Sequence, residues 1–205
     1  MARALSDVIA PAHTALVTQE CQNGVIGEQA VLPLLADAAR KEMIPNVSRL
    51  VKAARAAGVS VIHCTAVRRA DGKGSSTNAR LFMAVRKSPV TLLPGSEAAQ
   101  VVSEIGVEAA DVVLSRLHGL GPMAGTDLDS VLRNLGVRTI VGVGVSVNVG
   151  MTNFAMDAVN LGYDFVLPRD AVAGVPEEYA NAVIENTLSL ITTLVRTEDV
   201  IEVWS

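Results

Sequence analysis

Apolar residues in this chain fall into two patterns: short runs without alternation, and longer amphipathic stretches that end on glycine. Residues 14–19, 59–67, 111–116, 139–145 and 164–170 are runs of the first kind. An unalternated apolar run suits a strand buried on both faces, as in a parallel sheet. Residues 46–58, 126–136 and 149–162 are of the second kind, each closed by glycine, and Pro45 and Thr126 mark helix starts. The pattern further predicts a short helix over 96–105, a long helix over 176–196 opening on Pro-Glu-Glu, and a sixth strand over 200–204. Residues 28–42, around Pro33, read as a helical or irregular excursion, and 68–93 as a long polar, glycine-rich loop.

Strands alternating with helices predict an α/β fold, with a parallel sheet carrying helices on both faces. With 205 residues and no repeat, low-complexity tract or linker, one domain over 1–205 is expected. The centre of the pattern is 139–151, where a strand passes through the break at Ser146–Asn148 into a helix. Gly142 and Gly144 leave room there for a close backbone or ligand approach. The turn lies at a strand's carboxyl end, where open α/β sheets bind ligands, and the helix behind it aims free N–H groups at that place.

Composition narrows the function. Half the residues are apolar, but only three Phe, two Tyr and one Trp occur, so small aliphatic side chains must fill the layers. A net charge of −4 gives nucleic acid no electrostatic support. No apolar run reaches the ~20 residues of a membrane helix, and the first eleven residues are too broken for a signal peptide. A soluble cytoplasmic protein without nucleic-acid or membrane partners is expected. Cys21 and Cys64 have neither disulfide nor metal spacing and are read as core. The glycines at 142, 144 and 150 miss the dinucleotide fingerprint because position 147 is valine. His13, His63 and His118 lack ligand spacing, so neither metal nor cofactor is expected.

Chemistry-bearing residues sit where strands end. Glu20 follows the first strand within apolar surroundings; burial there suits a proton donor, and a solvated loop carboxylate or helix cap fits the position equally. Arg116 ends the third strand and suits either an anchor for a substrate carboxylate, a partner for Glu20, or a surface ion pair. His118 reads as a proton shuttle or as a hydrogen-bonded loop residue. His63 cannot readily activate Cys64, because adjacent strand residues face opposite sides.

Several stretches resemble the isochorismatase-like, or cysteine hydrolase, superfamily. They are LVTQECQN at 16–23, GTDL at 125–128, GVSVNVGM at 144–151 with Asp157-Ala158 and LGY at 161–163 behind it, and Asp170-Ala171. The resemblance implies a three-layer αβα fold with a six-stranded parallel sheet in the order 3-2-1-4-5-6. It implies a small-molecule substrate and a homodimer or homotetramer. Family amidases use aspartate, lysine and cysteine; here those positions hold Glu20, most nearly Arg116, and Gly150. Glycine excludes a covalent thioester at that place. The metal motif of some relatives is replaced by Thr65-Ala-Val-Arg-Arg69, again implying no metal.

One branch of that superfamily works with glycine at the cysteine position, an acid and a water sufficing. The expected function is therefore an isochorismatase-like hydrolase of a small, carboxylate-bearing molecule by acid/base chemistry. Glu20 and Arg116 are its catalytic residues, with Gln22, His118, Ser146, Val147 and Gly150 binding substrate. The resemblance also places a non-proline cis peptide at 146–147. The alternative is a non-catalytic relative that keeps the fold to bind a small molecule or a protein.

Overall fold

A computed structural model describes residues 3–28 and 30–205. Helix α1 (Leu5–Val8) and a 3-10 turn (Pro11–His13) lead into β1 (Thr14–Gln19), which is buried along its whole length. A one-turn helix, α2 (Asn23–Ile26), follows where an open Asn-Gly turn is expected. Then α3 (Pro33–Ala38), a π turn (Ala39–Met43) and α4 (Ile44–Ala56) run on without a break. Pro45 therefore lies inside a continuous helical stretch rather than starting one. It has no N–H to give and its ring crowds the preceding turn; the wider π turn directly ahead of it accommodates that misfit.

The remaining elements are β2 (Ser60–Ala66), α5 (Arg80–Val85), β3 (Val112–Arg116), α6 (Leu128–Asn134) and β4 (Thr139–Val145). A π turn (Val147–Met151) then enters α7 (Thr152–Asn160), followed by β5 (Asp164–Pro168) and β6 (Val172–Ala173). The chain closes with α8 (Glu177–Asn186), β7 (Thr193–Val195) and α9 (Thr197–Trp204). Strand order is β3-β2-β1-β4-β5-β7, with β6 pairing β4, and every pairing is parallel.

Alternation along β1 feeds two cores. Leu16 joins Val61, Val141 and Val166 under α4 and α9, where Val47, Leu50, Val200 and Trp204 cover them. Ala15 and Val17 join Ile62, Ile140 and Phe165 under α6 and α7, against Leu128, Leu132, Phe154 and Ala158. Gly142 and Gly144 give their space to the protein itself. A Cβ at 142 would lie 2.2 Å from the Phe165 ring, and one at 144, where φ is 117°, would lie 2.2 Å from the Gln19 carbonyl oxygen.

The carboxyl-terminal quarter departs from expectation. The long helix of 176–196 stops at Asn186, and the β-branched Thr193–Val195 supplies the outermost strand beside β5. Residues 200–204 are helix, not strand: the buried side chains are Thr197, Val200 and Trp204, a helical spacing, and the Trp204 indole donates to the Ile9 carbonyl at 2.9 Å. The helix expected over 96–105 is a single 3-10 turn (Glu97–Ala99) and an antiparallel bridge from Val101 to Gln22. Among the described residues no helix is long and apolar enough to cross a membrane.

Candidate active site

From β1 the sheet runs through β2 to one side and β4 to the other, so a crevice opens at the carboxyl ends of β1 and β4. Glu20 sits on its floor. The Glu20 N–H donates to the Cys64 carbonyl at 2.8 Å, which fixes the residue against the end of β2. Its φ is 52°, the left-handed region, and among the described residues it is the one non-glycine found there. Such a conformation costs on the order of 1 kcal/mol and tends to persist at functional sites. It also breaks strand alternation, so Glu20 need not point opposite to Gln19.

Arg116, the last residue of β3, reaches the same spot. Its register partner on β2 is Ala66. Arg116 Nη2 donates to Glu20 Oε1 and, at 3.4 Å, to the Leu120 carbonyl. The Arg116 side chain is 5% exposed and that of Glu20 22%, so the carboxylate is the member open to the crevice. Nε and Nη1 of Arg116 are buried and make no hydrogen bond to the protein.

The third wall is the turn after β4. The non-proline cis peptide joins Val145 to Ser146, one residue earlier than expected. At Gly150, a Cβ would lie 2.1 Å from Gln19 Nε2, 3.2 Å from the Leu120 carbonyl oxygen and 3.3 Å from that of Val145. A side chain at 150 therefore requires Gln19 to move. Above these residues is a cavity of about 300 Å³, bordered by Glu20, Arg116, His118, Ser146, Asn148 and Gly150. Its remaining wall is mostly apolar and includes Val25, Leu35 and Val175. The 68–93 segment adds Leu81, Phe82 and Leu92, and its base is closed by the Arg68 N–H on the Leu92 carbonyl at 2.8 Å.

Five of the seven residues singled out from the sequence thus border one cavity: Glu20, Arg116, His118, Ser146 and Gly150. Gln22 and Val147 do not. The Gln22 amide donates to the Ala66 and Ala99 carbonyls, both at 2.9 Å, and accepts from the Ala66 N–H at 2.8 Å, so it ties loops together and has little left for a ligand. Val147 is buried against the core. Two residues escaped the sequence reading. Asn148 borders the cavity, donates to the Val175 carbonyl at 3.2 Å and has a buried, unpartnered Oδ1. Gln19 is fully buried beside Gly150 with both amide atoms unpartnered.

Both cysteines lie in the core, as expected from the sequence. Burial pushes the Cys21 thiol up to about 12, helped by the Glu20 charge. Burial likewise pushes Cys64 up to about 12, against the pull of Arg116. At neutral pH each is a thiol, not the thiolate that nucleophilic attack requires. Among the described residues no three His, Cys, Asp or Glu side chains converge to hold a metal ion.

Similarity to known proteins covers almost all of the chain. The model of the isochorismatase domain matches residues 14–199. The chain is 30% identical over 192 residues to the ureidoacrylate amidohydrolase RutB of Enterobacter sp. (strain 638), covering 87% of this chain and 83% of that one. Among solved structures, a cysteine hydrolase from Pseudomonas syringae pv. phaseolicola 1448A superposes with a TM-score of 0.84 at 23% identity, covering 96% and 94% of the two chains. An isochorismatase family protein from Burkholderia thailandensis gives 0.80 at 26% identity, covering 96% and 97%.

Proposed function

Because this chain belongs to the isochorismatase family of hydrolases, we propose that it cleaves a small molecule with water alone as nucleophile, activated by Glu20. The observation that carries this reading is the Glu20–Arg116 pair on the cavity floor, next to a turn whose position 150 has no side chain. Glu20 accepts a hydrogen bond from Arg116, so in this arrangement it is placed to take a proton rather than give one.

Water attacks the scissile carbon as its proton passes to the Glu20 carboxylate. The bond to the leaving nitrogen or oxygen breaks, and the same proton then goes to that leaving group, restoring the carboxylate. Arg116 keeps a fixed positive charge and cannot relay protons at neutral pH. Its Nε and Nη1 have no protein partner and suit a substrate carboxylate or the oxygen that gains charge in the transition state. The mostly apolar wall favours a substrate whose body is apolar and whose reacting end is polar. Ureidoacrylate, named for the RutB relative, places a carboxylate near a C–N bond and is the first compound to try.

Glu20→Gln is the direct test. It keeps size and hydrogen bonding but cannot take the proton. Turnover across a panel of ureido acids, amides, esters and vinyl ethers should fall by about 10²–10⁴, with the melting temperature close to wild type. Full activity in this variant would remove Glu20 from the chemistry.

A further inference from the structure

The unexplained group in this site is Gln19. It is the last residue of β1, wholly inaccessible, and its carboxamide makes no hydrogen bond to the protein. A buried amide without partners is costly, and the cost is retained where the group has a partner other than the protein. Its position identifies that partner. Gln19 Nε2 lies 2.1 Å from the place of a Cβ at Gly150, so the amide fills the space that a residue-150 side chain would take. Gly150 and Glu20 border the cavity; Gln19 is not part of the lining, and its amide lies directly behind Gly150, one residue from Glu20. Nearby, Arg116 Nε and Nη1 are equally unpartnered.

We propose that the Gln19 carboxamide is a positioning residue: it holds the attacking water between its own amide and the Glu20 carboxylate, in the space beside Gly150. An amide carries both donor and acceptor and no charge, so it can orient a water without competing for the proton that Glu20 takes. The proposal rests on the non-covalent reading above and adds the group that orients the nucleophile. It also gives Gly150 a physical reason, since a Cβ there displaces the amide.

Gln19→Leu tests it. Leucine has a similar volume and loses no hydrogen bond to the protein, so the melting temperature should hold or rise. A high-resolution crystal structure of the wild type should show a water bonded to both Gln19 and Glu20, absent in the variant. With p-nitrophenyl acetate as probe, kcat should fall at least about tenfold at little change in KM, and Gln19→Asn should recover part of the loss. A lower melting temperature for Gln19→Leu, with the wild-type amide bonded to the Leu120 or Val145 carbonyl and no water at Glu20, would assign Gln19 to the scaffold and overturn the proposal. Glu20→Gln run alongside separates the two ideas. If that variant keeps its rate while the water at Gln19 remains, the base is wrong and the water site stands. If Glu20→Gln is inactive while Gln19→Leu is fully active, the base stands and the positioning role fails.

Discussion

Two charged clusters flank the central strands, and they are built on opposite principles. Near the amino end of β3, Asp111 accepts from Arg55 Nη2 at 2.5 Å, from the Glu108 N–H at 2.7 Å and from His63 Nε2 at 3.4 Å. His63 Nδ1 pairs with the Thr18 hydroxyl at 2.9 Å, and Arg55 also bonds Glu108 and the Gly106 carbonyl. Every charge there has protein partners. At the carboxyl end, Glu20 and Arg116 have each other, yet two guanidinium nitrogens and the whole Gln19 amide stay unpartnered, and Glu20 bears an unfavourable φ. A saturated network holds the fold; an unsaturated one beside a cavity is set up to meet something else.

The largest contrast should come from the two arginines. Arg55→Met leaves Asp111, whose side chain is 2% exposed, buried with only the Glu108 N–H and His63 beside it, and should cost about 3–5 kcal/mol in denaturant unfolding. Arg116→Met leaves Glu20 open to the cavity and should cost far less. Activity should reverse the order. Arg116→Met should lose about 10²–10³ in kcat, the scale of one lost charge-stabilising donor, while folded Arg55→Met turns over normally. Equal stability losses in the two variants would erase the distinction between the clusters.

Acid sharpens it further, because the saturated cluster titrates with folding. Burial lowers the His63 pKa below 6.5, against the pull of Asp111. The unfolded chain thus takes up a proton at His63 before the folded one does, and stability drains away as pH falls below about 6.5. For Asp111 burial acts to raise the pKa, but Arg55, the Glu108 N–H and His63 outweigh it and hold the value below 3.8. Its contribution is complete above that pH and is lost as pH falls through the lower, folded value. Melting temperature against pH should therefore decline in two stages. In His63→Gln the first stage should flatten and the second remain.

The same division decides what could be read from the sequence. The first five strands carry unalternated apolar runs, and the structure has a strand within each. Glu20 and Gly150 could be singled out because each sits where a strand or turn ends in a resembling motif, and Arg116 because it ends the third strand, most nearly at the family's lysine position. Gln19 could not: inside the strand run it has the parity of the core residues Ala15 and Val17, and only the approach of the β4–α7 turn reveals its neighbour. The last strand departs from expectation for a related reason. Residues 200–204 are apolar enough for a strand, but their neighbours are α4 and the amino terminus, and it is Thr193–Val195, short and partly exposed, that finds the free edge of β5. Hydrophobic period reports local geometry, whereas sheet edges and site neighbours are set by distant chain.

The smallest effect concerns the backbone at Glu20. Neither Glu20→Ala nor Glu20→Gly alone measures the cost of its left-handed conformation, because both also remove the partner of Arg116. Their difference does. Alanine keeps a Cβ at φ 52°, and glycine does not. Relief of the steric cost, on the order of 1–2 kcal/mol, is offset by the greater freedom glycine has when unfolded, roughly 0.5–1 kcal/mol. Glu20→Gly should thus be more stable than Glu20→Ala by about 0.5–1 kcal/mol in denaturant melts. If glycine is the less stable of the two, the strand end is not strained by holding a carboxylate there, and the stability this cluster gives up lies in its unpartnered atoms alone.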